Sequence, residues 1–162
     1  MATNSSWSKE FDCTADILYG IITSGELHKA RSSLIGNLSA DVKETERSET
    51  RLRFEVHCVE YAKGVMGVDK TKTERSVTRY DCDLKNRKVE WFYEGSGGKR
   101  VKVWGDMEVT ETSGGARVRQ NFNVNIKIPL VGGKIEKMVA KETAKFWPRY
   151  EELMSGFVDR AK

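Results

Sequence analysis

The spacing of apolar residues changes once along this chain, close to residue 129. From residue 117 to 128, apolar side chains alternate with polar ones, as on a β-strand with one buried and one wet face. The apolar positions are Val118, Phe122, Val124, Ile126 and Ile128. From residue 133 to 160 the period is 3.6 residues, which predicts one long amphipathic helix. An antiparallel sheet that ends in a long helix is typical of the α+β class.

The predicted C-terminal helix has two distinct sides. Its apolar side is expected to face the sheet and consists of Ile135, Val139, Thr143, Phe146, Tyr150, Leu153 and Phe157. A basic stripe on a different side consists of Lys134, Lys137, Lys141, Lys145 and Arg149. Pro148 lies inside the helix and has no N–H to donate, so a kink is expected near residues 144–148.

The rest of the chain predicts a first strand at residues 7–11, two short helices and a series of antiparallel strands. Asp12 or Thr14 caps a helix that Gly20 stops, and Ser24 opens a second helix that Gly36 ends. Runs with a period of two predict further strands at residues 41–47, 51–58, 72–83, 89–93 and 101–109, with turns at 48–49, 85–87, 95–98 and 113–115.

The pattern leaves two stretches of the chain without a definite assignment. Val65 and Met66 lie between Gly64 and Gly67, in either a loop or a distorted edge strand. Residues 72–83 are rich in Thr, Val and Tyr and are expected to be extended. Their alternation is ambiguous, so the pattern does not decide which of their side chains face the interior.

Length and composition limit the remaining choices. With 162 residues, the chain is expected to form a single domain over residues 1–162. No run approaches the ~20 apolar residues that cross a bilayer. The first residues lack the pattern of a secretory signal, which predicts a cytoplasmic protein. Three widely spaced cysteines without a CxxC pair predict buried, reduced thiols and no metal site.

The charge of the chain says little about its partners. A net charge of +4 is too small for a typical nucleic-acid-binding domain, so no nucleic acid is expected. The basic stripe is expected to be a solvated face, since Glu142 interrupts it. The alternative is a transient contact with a membrane surface through Lys134, Lys137, Lys141 and Lys145. The chain is expected to be a monomer or a weak dimer.

The order of these elements resembles the helix-grip fold of the START/SRPBCC superfamily over essentially the whole chain. The most specific stretch is VNIKIPLVGGKIEK at residues 124–137. It resembles the junction of the last strand and the helix in an uncharacterised bacterial branch of that superfamily. The resemblance implies a curved antiparallel sheet of about seven strands wrapped around the C-terminal helix, with two short helices after the first strand.

The resemblance also implies a function, namely binding or transport of a hydrophobic or amphipathic, lipid-like molecule. The molecule would lie in a cavity between the sheet and the C-terminal helix, without a cofactor. Aromatic side chains on the predicted inner faces supply the apolar surface that such sites use, although the same side chains can instead fill the core. The expected ligand-binding residues are Phe54, Val56, Trp91, Tyr93, Val103, Phe122, Val124, Val139, Phe146 and Tyr150.

Two other functions stay open at this point. One is an enzyme of the cyclase or hydrolase kind that uses the same cavity, as some superfamily members do. Its candidate residues are Arg75, Arg79, Tyr80 and Asp81, and an inward-facing Arg79–Asp81 pair would be informative because burying charges is costly. The other is a protein-interaction or regulatory module with a filled core.

No catalytic residue is predicted. His28 and His57 are isolated, and the chain has no motif that pairs a nucleophile with a base. Residues 95–100 are glycine-rich but predict a hairpin between strands. Gly132 and Gly133 precede the helix, where an anion is favoured, but a tight strand-to-helix corner is the preferred interpretation.

Overall fold

The structure is a computed structural model that describes residues 3–64 and 67–162, without the side chains of residues 63 and 64. The described elements are β1 (Thr3–Phe11), α1 (Ala15–Ile22), α2 (Gly25–Leu34), β2 (Ser39–Arg47), β3 (Arg51–Gly64), β4 (Gly67–Asp83), β5 (Lys88–Glu94), β6 (Val101–Thr112), β7 (Gly115–Ile126) and α3 (Gly132–Ala161). The predicted α+β arrangement, with two short helices after the first strand and a long helix at the end, is confirmed.

The strands form one antiparallel sheet in the order β1-β7-β6-β5-β4-β3-β2. Strands β2 to β7 pair consecutively, and β1 closes the order by pairing with β7. Within one row of the register, Trp91 lies opposite Tyr80 and Gly105, and Gly105 lies opposite Phe122. These four residues therefore share the inner face of the sheet.

The two short helices begin at predicted cap residues. The Thr14 hydroxyl accepts a hydrogen bond from the Ile17 amide at 3.2 Å, and the Ser24 hydroxyl accepts one from the Leu27 amide at 3.3 Å. Gly36, with φ of 86°, ends α2 as predicted. The prediction that Gly20 stops α1 was wrong. Gly20 is exposed, and a glycine inside a helix costs only about 1 kcal/mol, while the next turn buries two isoleucines.

The structure shows which side chains of β4 face the interior. Ser76, Tyr80 and Cys82 are buried on the inner face, whereas Arg79 and Asp81 lie on the outer face. The hypothesis of an inward-facing Arg79–Asp81 pair was therefore wrong, because the residues on either side of Asp81 occupy the inner positions. Residues 65 and 66, the other open stretch, lie outside the described residues.

The corner between β7 and α3 is held by a buried carboxylate. Glu136 accepts hydrogen bonds from the Ile126 amide and the Thr3 hydroxyl, both at 3.1 Å. A Cβ atom at Gly132 would overlap the Ile126 carbonyl oxygen, so the chain passes too close for a larger residue. Gly132 thus allows a tight strand-to-helix corner, and the Glu136 carboxylate follows directly after the first turn of α3.

Candidate ligand-binding cleft

Helix α3 lies on the inner side of the sheet, and its main backbone contacts are with β1, β7, α1 and α2. Its buried side chains are those of Glu136, Trp147, Tyr150, Met154 and Val158. At 100° per residue, this stripe is rotated by about 60° from the predicted apolar side. The predicted direction of the buried side of α3 was therefore wrong by this angle. Helix α3 packs against α2 as well as against the sheet. The Arg31 guanidinium of α2 lies 5.5 Å from the Phe146 ring.

The C-terminal half of α3 packs tightly on the sheet. Trp147 stacks on Trp7 with ring centroids 5.3 Å apart, and Tyr150 meets Trp7 edge-on at 5.4 Å. The Trp7 indole donates a hydrogen bond to Glu151 at 2.8 Å, which ties β1 to the helix. Met154 is completely buried one turn further on. We call this region, formed by Trp7, Trp147, Tyr150 and Met154, the closed half of the interior.

The buried stripe of α3 is interrupted between Glu136 and Trp147. Val139, Ala140 and Thr143 lie on the same side of the helix as the stripe, yet they are only partly buried. Across the described residues, α3 has few or no close backbone contacts with β3–β6. Its close backbone contacts with the sheet are with β1 and β7, at one side of the strand order.

The facing part of the sheet shows the same incomplete burial. Tyr93 on β5, Val103 on β6 and Phe122 on β7 point inward but remain partly exposed. These partly exposed apolar side chains, together with Val139 and Phe146 of α3, are the candidate lining of a cleft between helix and sheet. We call it the open cleft and define it by Tyr93, Val103, Phe122, Val139 and Phe146.

The ten residues predicted to bind a ligand separate into two groups by burial. Five are buried, namely Phe54, Val56, Trp91, Val124 and Tyr150. The other five are the half-buried residues that define the open cleft. The structure thus divides the predicted set into buried and half-buried residues, and ligand binding by either group stays a prediction.

Trp91 forms the floor between these two regions. A Cβ atom at Gly105 would lie 2.6 Å from Cζ2 of Trp91 and would overlap the Asn121 carbonyl oxygen. The glycine therefore leaves room for the indole over β6, where its ring centroid is 5.9 Å from that of Phe122.

Three polar atoms near this floor have no hydrogen-bond partner among the described residues. They are Nε1 of Trp91, Nε1 of Trp147 and Oε1 of Gln120, and all three residues are more than 90% buried. Gln120 lies between Val118 and Phe122 on the inward-facing side of β7, where the alternation alone does not reveal its lack of a partner. A buried polar atom without a partner is uncommon, so each of these three requires an explanation.

A further polar contact lies at the edge of the open cleft. The Tyr93 hydroxyl donates a hydrogen bond of 2.5 Å to Glu60, which is 5% exposed. Burial raises the pKa of Tyr93, and the negative charge of Glu60 adds to the shift. Tyr93 is therefore a hydrogen-bond donor at neutral pH and not a base.

His28 is a buried, neutral imidazole that packs against Phe54 and Tyr80. Its ring centroid lies 5.2 Å from that of Phe54 and 4.4 Å from that of Tyr80. Nε2 donates a hydrogen bond to the Ile22 carbonyl at 2.9 Å, since the carbonyl can only accept. Burial lowers the pKa of His28 to about 4. His57, in contrast, is exposed and bonds Glu55 at 3.0 Å.

A groove of about 620 Å³ lies on the outer face of the sheet rather than in the interior. Phe92 and Trp104 lie side by side in it as a cross-strand pair. Arg79 bridges Glu55 at 3.1 Å and Glu94 at 2.7 Å along its border. These ion pairs are exposed, and they place Arg79 in a surface network rather than in a catalytic interior.

The described residues offer little for metal or thiol chemistry. Across the described ranges, no three His, Cys, Asp or Glu side chains come together in a group that could hold a metal ion. Cys58 and Cys82 are buried free thiols, while Cys13 is half-buried. Burial raises the pKa of Cys82 to about 12, so it stays a protonated thiol at neutral pH.

Comparison with protein families assigns the chain. A family profile matches residues 6–158, and its description is "Protein of unknown function (DUF2505)". The chain belongs to this family. Membership of the DUF2505 family agrees with the predicted uncharacterised branch of the superfamily. No curated protein sequence gives a significant match.

Solved structures share the fold at low sequence identity. TTHA0849 from Thermus thermophilus is 18% identical with a TM-score of 0.66, over 100% of this chain and 99% of that one. The Zhui aromatase/cyclase from a Streptomyces species is 12% identical with a TM-score of 0.60, over 99% and 94%. A START superfamily protein from Mycobacterium smegmatis is 12% identical with a TM-score of 0.58, over 99% of both chains. The predicted START-type fold is thus confirmed, and at these identities the likeness concerns the fold alone.

Proposed function

We propose that this protein binds a hydrophobic or amphipathic small molecule in the open cleft. The observation that carries the proposal is the incomplete burial of apolar side chains on both facing surfaces, Val139 and Phe146 on α3 and Val103 and Phe122 on the sheet. Apolar surface that stays accessible inside a fold is stabilised when a ligand removes it from water, at about 25 cal/mol per Å². Aromatic and aliphatic walls with few polar groups are typical of such sites.

The distribution of packing supports the same proposal. The closed half supplies stacked aromatic contacts that hold α3 on β1, so the fold does not depend on filling the open cleft. One solved structure with the same fold is named an aromatase/cyclase, and this name describes that other protein only. Here the proposal is limited to binding.

Filling the cleft with a larger side chain should abolish binding while leaving the protein folded. We expect Val103→Phe and Val139→Phe each to weaken binding of the neutral fluorescent probe N-phenyl-1-naphthylamine at least tenfold. The added ring would occupy the space that the probe needs. The affinity is measured by fluorescence titration, and the free energy of unfolding is measured in parallel by urea denaturation.

The matched control is Val68→Phe, the same substitution at a residue that is 58% exposed on β4. It should leave probe affinity within twofold of the original chain. Overpacking a filled core costs typically 1–3 kcal/mol, so a large loss of stability in Val103→Phe and Val139→Phe would indicate that no cleft exists. Unchanged probe binding in both filled variants would also count against the proposal.

The four lysines Lys134, Lys137, Lys141 and Lys145 are exposed on the half of α3 that borders the open cleft. Lys145 pairs with Glu142 at 3.3 Å, and both side chains are mostly exposed. The basic stripe is therefore available to an anionic surface next to the cleft, and its contact with a membrane stays a prediction. Among the described helices, none has the length and apolar character that a membrane span needs.

A further inference from the structure

Two of the three residues with unpartnered polar atoms, Trp91 and Gln120, lie on the inner face of the sheet, and the third, Trp147, lies on α3. Gln120 lies opposite Met107 on β6 and Trp7 on β1. The Trp91 indole lies on Gly105, which is the next inward-facing residue to Met107 on β6. Trp147 of α3 stacks on Trp7, which lies opposite Gln120 on β1. We call Trp91, Gln120 and Trp147 the polar spot.

The polar spot adjoins the inner end of the open cleft. Phe122 borders the cleft, lies opposite Gly105 and is the next inward-facing residue to Gln120 on β7. Its ring centroid is 5.9 Å from that of Trp91. Phe122 therefore lies next to both Trp91 and Gln120 on the inner face.

The chemistry of the polar spot restricts what fits there. Both indole nitrogens can only donate a hydrogen bond, whereas Oε1 of Gln120 can only accept one. A carbonyl would leave Gln120 unpaired, and an ammonium group would leave both indoles unpaired. A hydroxyl both accepts and donates through one oxygen, so it can bond an indole N–H and the Gln120 oxygen together. Each buried polar group that gains a partner no longer carries the energetic cost of burial without a hydrogen bond.

We propose that the ligand of the open cleft is an apolar molecule with a hydroxyl group, an alcohol or a phenol, whose hydroxyl bonds Trp91 and Gln120. This inference rests on the proposed function, because it names the class of molecule that the cleft binds. It adds that the apolar body lies against Phe122 and Val103 while the hydroxyl lies at the polar spot. The protein then favours the hydroxylated ligand over its apolar analogue, because the analogue leaves the buried polar groups without hydrogen-bond partners.

The test compares two probes of nearly equal shape, 2-naphthol and 2-methylnaphthalene. Their affinities are measured by displacement of N-phenyl-1-naphthylamine from the full chain and from Gln120→Leu and Trp91→Phe. The quantity of interest is the ratio of the two dissociation constants, since it removes any general effect of a variant on the cleft. We expect each variant to shift this ratio about tenfold against 2-naphthol. Met107→Leu, an apolar exchange next to Gln120, should leave the ratio unchanged.

The outcomes separate this inference from the proposed function. If both probes displace the fluorophore but the ratio is the same in all variants, the hydroxyl inference is wrong and the cleft still binds apolar molecules. An ordered water that satisfies the polar spot would give that same result. If neither probe nor fluorophore binds, the proposed function fails and the inference fails with it. Should Trp91→Phe not fold, Gln120→Leu alone decides the question.

Discussion

Replacing Tyr150 by alanine should lower the free energy of unfolding by about 3–5 kcal/mol. Tyr150 is 2% exposed and contacts Trp7, Phe146 and Trp147 with ring centroids 5.2–6.1 Å apart. Its removal leaves a cavity at the centre of the closed half, and the stacked neighbours cannot collapse into it without losing their own contacts. Urea denaturation followed by tryptophan fluorescence measures the loss.

Phe146→Ala provides the comparison, because it removes an aromatic ring one helical turn away. Phe146 is only partly buried, borders the open cleft and has the Arg31 guanidinium over its ring. We expect a loss of about 1 kcal/mol, the usual value for a partly exposed side chain. If Tyr150→Ala and Phe146→Ala both lower the free energy of unfolding by about 3 kcal/mol or more, the interior is filled along the whole of α3. That result would favour the alternative function, a protein-interaction or regulatory module with a filled core.

Acidification from pH 7 to pH 4 should lower the free energy of unfolding by up to about 3 kcal/mol through His28 alone. Burial lowers the pKa of His28 from 6.5 to about 4 in the folded chain. Between these two pH values the unfolded chain binds a proton that the folded chain does not. The unfolded state is therefore favoured as the pH falls through this window, and the effect levels off below about pH 4.

The variant His28→Phe isolates this contribution. It keeps an aromatic ring between Phe54 and Tyr80 but removes the titrating group. The variant should be less stable at neutral pH, since the Ile22 carbonyl loses its donor. The difference in unfolding free energy between the original chain and the variant should shrink as the pH falls from 6.5 to 4. A difference that stays constant across this range would show that His28 is not a buried neutral group.

Local patterns in the sequence predict the elements of this fold well. The alternation along residues 117–126 and the change of period near Pro129 appear directly as β7 and α3. Thr14 and Ser24 cap the short helices because capping depends only on neighbours along the chain. Such features need no knowledge of distant residues, so one sequence is enough to predict them.

The facing of α3 and of β4 depends on distant residues instead. The period of α3 gives an apolar side only approximately, and the buried side chains of the helix include Trp147 and Met154, which lie outside the predicted side. On β4 both faces carry mixed side chains, and only pairing with β3 and β5 places Tyr80 inward. These arrangements follow from packing between elements, which no single segment encodes.

Burial of polar residues was the least predictable part of the candidate site. Glu60 and Gln120 occupy inward-facing positions of β3 and β7, but a polar side chain at such a position does not by itself predict burial. Whether each has a partner depends on other strands, as with the Tyr93 hydroxyl that donates to Glu60. The open cleft itself depends on the volume left between α3 and the sheet, and that volume cannot be deduced from either element alone.

The most direct test of the open cleft is to locate a bound apolar probe by NMR. N-phenyl-1-naphthylamine is titrated into isotope-labelled protein, and valine methyl and backbone amide shifts are recorded at each step. Binding in the cleft predicts the largest changes at Val103, Phe122 and Val139, with Val68 unaffected. Changes confined to the outer groove around Phe92 and Trp104, or no changes at saturating probe, would contradict it.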